Sequence, residues 1–458
     1  MAVEISSVEL SRVFCDNLTK IVDSQAVTIQ HVSTDTRSIL ANAVFVALVG
    51  EKFDGHDFID EAISKGAIAI VVQRELAVPS SVIQYVVQDT LKAYQQIAQW
   101  WRSQFTIPVI GVTGSVGKTS TKELIAAVLG TQGKVLKTEK NYNNEIGVPK
   151  TLLQLTPEHD YAVIEMAMRG QGEIAELTEI ARPTIGVITN VGTAHIGRLG
   201  SREAIAEAKC ELLARMPANS TAILNQEQPL LMATAQKVWQ GQTITYGLAS
   251  GDVAGRLLDN EYLEVAGLQL PLPLPGIHNA SNYLAAIAVA QVLNIPIESL
   301  TSGLEVTLPQ GRSRCEKLAN DIWLLDETYN AGLESMQAAL KMLKQTPGER
   351  QIAVLGTMKE LGEYSEQFHQ QIGQTVTELD LDLLFVLADE PATKAIVTGA
   401  TGITSECFTE RQSLIDRLKD TIKSGDRVLF KASNSVGLNQ VVEELKQTIC
   451  SGDLLPKT

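Results

Sequence analysis

The run Val109-Ile110-Gly111-Val112 passes directly into Thr113-Gly114-Ser115-Val116-Gly117-Lys118-Thr119 and from there into a stretch with helical spacing. This feature constrains the fold most, because a strand turning through glycines into a helix aims backbone N–H groups and the positive end of the helix dipole at one point. Gly114 and Gly117 permit the bend, Lys118 adds a cation, and the Thr119 hydroxyl can ligate magnesium. Thr113, Gly114, Ser115, Val116, Gly117, Lys118 and Thr119 are therefore expected to hold nucleotide phosphates. The usual spacing is GxxxxGK(S/T), but Val112 stands where its first glycine belongs, so the loop has the shorter GxxGK(S/T) form. It does not decide which nucleotide binds.

Strands alternate with helices around this loop. Residues 161–164, 184–189 and 221–224 are strand-like and the segments between them helical, which implies a largely parallel sheet covered on both faces. Upstream, strand-like runs at 44–48, 67–72 and 82–87 with a helix at 58–65 suggest a small α/β unit, followed by a helix over about 91–105. The Pro-rich segment 271–276 precedes a helix at 278–293, and Pro309-Gln310-Gly311 is the expected second linker. Strands at 322–326, 352–356, 383–387 and 427–431 form a third alternating unit. At 458 residues the chain is too long for one core. The expected architecture is α/β with three domains: a small N-terminal α/β domain over 1–88, a central P-loop-type, mostly parallel sheet over 89–309, and a Rossmann-like C-terminal domain over 310–458.

Composition excludes several classes. No stretch approaches the roughly 20 apolar residues of a membrane span, and Met1-Ala2-Val3-Glu4 lacks a basic, then apolar, secretory leader, so a cytoplasmic location is expected. Cys15, Cys210, Cys315, Cys407 and Cys450 show no CxxC spacing and read as reduced thiols. A net charge of −15 disfavours nucleic acid as a partner, while leaving room for small anions in a local donor pocket.

Further landmarks follow the loop in order. They are Asn141-Tyr142-Asn143-Asn144-Glu145-Ile146-Gly147-Val148-Pro149, Glu165 at a strand end, Asn190 to His195, and Lys209. After these come Gly276-Ile277-His278-Asn279-Ala280-Ser281-Asn282, Asp326-Glu327-Thr328-Tyr329-Asn330-Ala331 and Gly356-Thr357-Met358-Lys359-Glu360-Leu361-Gly362. Together they resemble the Mur ligase family over nearly the whole chain. The asparagine-rich segment is similar to that of the members adding D-alanyl-D-alanine, and the Asp-Asn-Pro-Arg motif of the diamino-acid-adding members is absent. Ser33-Thr34-Asp35-Thr36-Arg37, with Phe45-Val46-Ala47 and Asp54-Gly55-His56, resembles the uridine-nucleotide domain of these ligases. Three segments depart from the family pattern: Glu165-Met166-Ala167 for Glu-Met-Gly, Tyr329-Asn330-Ala331-Gly332-Leu333 for Tyr-Asn-Ala-Asn-Pro, and Lys431-Ala432-Ser433-Asn434 for Lys-Gly-Ser-Arg.

The resemblance implies ATP- and magnesium-dependent ligation of D-alanyl-D-alanine to a UDP-N-acetylmuramoyl-tripeptide by a monomer. A carboxylate needs a leaving group better than hydroxide before an amine can displace it, and phosphorylation to an acyl phosphate supplies one. The reactants are anionic, so the site has mainly positioning and electrostatic work to do. On this resemblance Lys118 and the loop hold phosphates, Thr119 and Glu165 a first magnesium, and His195 a second. Lys209, carbamylated by carbon dioxide, becomes an anion able to meet metal or water. Asn144, His278, Asn279 and Asn282 belong with the nucleotide. Arg312, Asp326 and Asn330 reach it from the C-terminal domain, which implies a hinge. Thr34, Asp35 and Arg37 would hold the uridine nucleotide. Sibling ligases, including folyl-polyglutamate synthetases, share the loop and metal residues. The alternative of a different class is a P-loop switch or assembly protein without ligase activity.

Overall fold

The structure, a computed structural model, describes residues 2–23, 26–309, 311–312 and 314–450; Gln310 of the expected second linker lies outside them. Three sheets form in chain order. The first runs Ala2–Ser6, Thr28–Ser33, Ala43–Val46, Ala67–Val72, Ile83–Val87, Leu18–Val22, with four parallel inner strands and an antiparallel strand at each edge.

The central sheet has nine strands. Its parallel part runs Val253–Leu258, Gln242–Gly247, Thr221–Asn225, Ile185–Ile188, Val109–Thr113, Tyr161–Glu165, Val135–Lys137. Tyr262–Val265 and Leu268–Pro271 extend it antiparallel. Every residue of Val109–Thr113 is buried, which is why this segment reads as an unbroken apolar run rather than an alternating one. Each fully buried Val or Ile there contributes about 1.5–3 kcal/mol.

Two helices lie together on this sheet, Lys118–Gly130 and Ile277–Val292. The second carries Ala280, Ala285, Ala286, Ala288 and Ala290, all buried, and these small side chains let the pair approach closely. That approach brings Asn282 under the turn at Gly117. The helix Thr90–Ser103 starts where Asp89 accepts the N–H groups of Leu91 and Lys92, an N-cap that replaces missing helical bonds. It joins the first two sheets: Gln96 Nε2 donates to the Phe14 carbonyl, and Gln95 Nε2 donates to Glu176 at 2.7 Å.

The third sheet runs Arg314–Lys317, Trp323–Asp326, Asp426–Lys431, Arg350–Gly356, Leu383–Leu387, Thr404–Phe408, parallel except for the first strand. It is the Rossmann-like unit expected from the alternation. Among the described residues no helix is long and apolar enough to cross a membrane. Cys15, Cys210, Cys315 and Cys407 are free; the side chain of Cys450 lies outside the described set.

Candidate active site

The glycine turn is built against the segment that follows Ile185–Ile188. Ser115 N–H donates to the Asn190 carbonyl at 3.1 Å, Val116 N–H donates to Asn190 Oδ1 at 2.9 Å, and Asn190 Nδ2 returns a bond to the Val116 carbonyl at 2.9 Å. Ser115 Oγ accepts from Gly192 N–H at 2.9 Å. Gly117, at φ +84°, caps the helix Lys118–Gly130 in a conformation that side chains resist, and a Cβ there would lie 2.8 Å from Asn282 Oδ1. Gly114 has no more room, since a Cβ would meet the Thr189 hydroxyl.

The Lys118 ammonium lies back over the loop, 2.9 Å from the Gly114 carbonyl and 3.4 Å from that of Ser115. Burial lowers its pKa, Glu165 opposes that shift, and Arg312 reinforces it. Thr119 Oγ1 donates to Glu165 Oε2 at 2.9 Å, and Asn143 Nδ2 donates to the other oxygen, Oε1, at 2.8 Å. A buried carboxylate, a hydroxyl and a phosphate-loop helix N-terminus thus share one corner. Asn143 is the asparagine that meets this carboxylate. Its neighbour Asn144, singled out from the sequence, is exposed and accepts Gly147 N–H at 2.9 Å, starting the short helix Gly147–Leu152. Two adjacent asparagines look alike in a sequence, and only the turn between them decides which one faces inward.

His195 sits at φ +67° with Nδ1 2.6 Å from Glu360 Oε2 of the C-terminal unit. Its pKa is lowered by burial first and by Lys118 second, with a smaller contribution from Lys209. Lys209, on the helix Arg202–Arg215, is 1 % exposed and has no carboxylate partner among the described residues. Burial, then Lys118, holds its pKa well below the usual lysine value. An amine in that setting is neutral more readily, and therefore more nucleophilic, than one in water.

Asn279 and Asn282 are buried in the helix Ile277–Val292: Asn279 Nδ2 donates to the Pro275 carbonyl at 2.8 Å, and Asn282 Nδ2 to Asn279 Oδ1 at 3.2 Å. Asn279 therefore ties down the loop before the helix. His278 has a pKa lowered by burial and feels Glu327 and Lys431, so the C-terminal unit reaches this helix start too.

From that unit, Asp326 is buried and accepts Thr328 N–H and Oγ1–H at 3.1 and 2.6 Å. Asn330 Oδ1 accepts Ala331 N–H at 2.9 Å while its carbonyl accepts Lys431 Nζ, also at 2.9 Å. Arg312 stacks its guanidinium on Tyr329, 3.8 Å from the ring centroid. Arg312 Nε and Thr113 Oγ1 are buried without a hydrogen-bond partner among the described residues. Buried polar atoms without a partner are uncommon, and a polar ligand would satisfy these two. Lys118 feels Arg312, Lys209 feels Lys118 and Lys431 feels Arg312, so an acidic chain gathers basic side chains here, with Glu165, Asp326 and Glu327 among them.

Thr34, Asp35 and Arg37 stand elsewhere: the first two link the strand Thr28–Ser33 to the turn Thr36–Ser38, which contains Arg37. Asp35 receives the Arg37 guanidinium side-on, at 2.9 and 2.7 Å, and this hydrogen bonding holds its carboxyl down at about 2. Lys150, beyond the asparagine-rich segment, also acts on Asp35, so this corner faces the central unit. His56 is buried and receives Gln73 N–H on Nε2 at 2.9 Å while Nδ1 meets Asp54, which makes it a fastening of the first sheet.

Family models match the chain in three consecutive blocks: the Mur ligase family catalytic domain over residues 28–101, the Mur ligase middle domain over 112–290, and the Mur ligase glutamate ligase domain over 311–434. The UDP-N-acetylmuramoyl-tripeptide–D-alanyl-D-alanine ligase of Synechocystis sp. is 60% identical over 423 residues, covering 92% of this chain and 93% of that protein. The crystal structure of MurF from Acinetobacter baumannii superposes with a TM-score of 0.88 at 30% identity, over 97% of this chain and 99% of that one. MurF from Thermotoga maritima in complex with ADP gives 0.82 at 30% identity, over 92% and 98%.

Proposed function

Because the chain belongs to the Mur ligase family, we propose that the pocket around Lys118, Glu165, His195 and Lys209 is where its reaction takes place. It is an ATP-dependent peptide ligase that joins D-alanyl-D-alanine to UDP-N-acetylmuramoyl-tripeptide. The observation that carries the site is the Thr119–Glu165–Asn143 corner beside the phosphate loop, with Arg312, whose Nε has no hydrogen-bond partner among the described residues, close enough to act on Lys118. The division into 1–88, 89–309 and 310–458 assigns uridine-nucleotide binding, ATP binding and closure to successive domains. Both ATP and a nucleotide-linked precursor are cytoplasmic materials, and the chain acts as a monomer in that compartment.

The tripeptide carboxylate attacks the γ-phosphorus of ATP. The bond to the bridging oxygen breaks, ADP leaves, and an acyl phosphate remains. The amine of D-alanyl-D-alanine then attacks the acyl carbon, gives up a proton, forms the amide and expels phosphate. Lys118, Arg312 and the loop amides steady charge on the transferring group, while Asp326, Asn330, His278, Asn279 and Asn282 frame the nucleotide. Thr119 and Glu165 would offer magnesium hard oxygens, and His195, with Lys209 once carbamylated, would serve a second ion. When bound, the metal screens the repulsion between phosphate and carboxylate.

Incubation with ATP, magnesium, the UDP-linked tripeptide and D-alanyl-D-alanine is expected to yield the pentapeptide, ADP and phosphate, read by mass. Nucleotide hydrolysis without a dipeptide-dependent product would overturn the assignment. At the N-terminal corner, Asp35→Ala is expected to raise KM for the uridine nucleotide roughly ten- to a hundredfold with kcat little changed, the pattern of lost uniform binding through a charged hydrogen bond. An unaltered KM would remove Asp35 from the substrate site.

A further inference from the structure

Glu360 has no part in the roles assigned above, yet its contacts all cross the boundary between the central and C-terminal units. Its Oε2 is 2.6 Å from His195 Nδ1, its Oε1 is 3.3 Å from Arg198 Nη2, and its carbonyl accepts Gly197 N–H at 3.1 Å. Both members of the principal pair are held in the left-handed region, His195 at φ +67° and Glu360 at φ +62°. Neither is glycine, and such conformations persist where the surroundings impose them. The backbones meet so closely that a Cβ on Gly197 would lie 2.5 Å from Gly362 N.

Glu360 is also mounted rigidly. The preceding Lys359 is tied to Asp389 and Glu390 at 2.6 and 2.7 Å, and its N–H donates to Ser433 Oγ at 2.9 Å. Moving the C-terminal unit therefore moves this carboxylate.

We infer that Glu360 is a positioning residue through which the C-terminal domain sets the orientation of His195 when the two domains meet. The inference rests on the reading of His195 as a metal-binding side chain. A histidine whose Nδ1–H is fixed by a carboxylate presents Nε2 in one direction, as a metal ligand requires. Because the carboxylate and the imidazole belong to different domains, separation breaks the pair and frees the ring. His195 would then be held in one orientation for a metal only while the two domains are in contact.

The test uses the full chain and two readouts. In Glu360→Ala, the magnesium concentration giving half-maximal amide formation is expected to rise about 10–100-fold, the usual consequence of losing a ligand's outer partner. ADP binding measured without magnesium should stay as in the wild type. In the ligand-free protein, amide hydrogen exchange over residues 193–200 should accelerate. Glu360→Gln keeps an acceptor oxygen for Nδ1–H and is expected to recover most of the magnesium response.

Glu334→Ala provides the control. Glu334 spans the same boundary, accepting Thr193 N–H at 2.8 Å and Thr193 Oγ1–H at 3.0 Å, without touching His195. It should accelerate exchange and leave the magnesium dependence where it is. Unchanged magnesium dependence in Glu360→Ala, or an equal shift in Glu334→Ala, would reduce Glu360 to a simple tether and overturn the proposal. A wild-type protein making no pentapeptide would instead sink the functional reading.

Discussion

Replacing Lys118 by methionine is expected to lower kcat/KM for amide formation by about a thousandfold with no loss of folding stability. The transferring phosphoryl group spreads negative charge over its outer oxygens while a second anion approaches, and a fixed cation in a water-poor pocket acts on that charge with little screening. The protein itself gains little from the same cation. Lys118 bonds to two loop carbonyls, and burial already disfavours its charged form. Methionine fills similar volume without that desolvation. Its unfolding midpoint should equal or exceed the wild type's, so the loss of activity cannot be put down to unfolding. Arginine should not rescue, because its planar fork is longer and delivers charge at a different point. A Lys118→Met enzyme retaining a tenth of wild-type kcat/KM would remove this side chain from the transfer step.

The glycine turn was legible because its chemistry is local: strand, bend, lysine and hydroxyl lie within eleven consecutive residues, 109–119. The parallel sheet behind it followed from strands long and apolar enough to stand out. What escaped was short or two-sided. The ribbon Tyr262–Val265 to Leu268–Pro271 turns on Ala266 and Gly267, both at positive φ, so the cue is an Ala-Gly pair weaker than the usual Asn-Gly. The edge strands Arg314–Lys317 and Thr404–Phe408 carry too few apolar residues to announce themselves.

The candidate site divides in the same way. Asp35 and Arg37 are two residues apart, and their pairing is close to what a turn dictates. His195 and Glu360 are separated by 165 residues, and Thr193 and Glu334 by 141. Periodicity says nothing about which loop of one domain will meet which loop of another. Only the docking of two sheets brings these groups together, and the same docking carries Arg312 toward Lys118.

Lys209→Met is expected to cost about 10²- to 10³-fold in amide formation while making the fold more stable at neutral pH. The two effects have one cause. The amine is buried beside Lys118 with no carboxylate partner among the described residues, so its protonated form is unfavourable in the folded chain. An unprotonated amine can attack carbon dioxide, form an N–C bond, release a proton and become a carbamate. That product offsets the charge of Lys118 and offers oxygens to a metal. Methionine can do neither, hence the kinetic loss. For stability the sign follows from linkage: the unfolded amine titrates near 10.5 and the folded one well below it. Between those values the unfolded chain binds more protons, so the wild type gains stability as pH rises through that window. The advantage of Lys209→Met in denaturant midpoint should therefore be largest at neutral pH and shrink towards pH 10.5. Gentle mass analysis should find the wild type heavier by one carbon dioxide when bicarbonate is present, and the variant unchanged. Full activity in Lys209→Met would exclude the carbamate, and a stability gap that widens with pH would mean that Lys209 keeps its proton when folded.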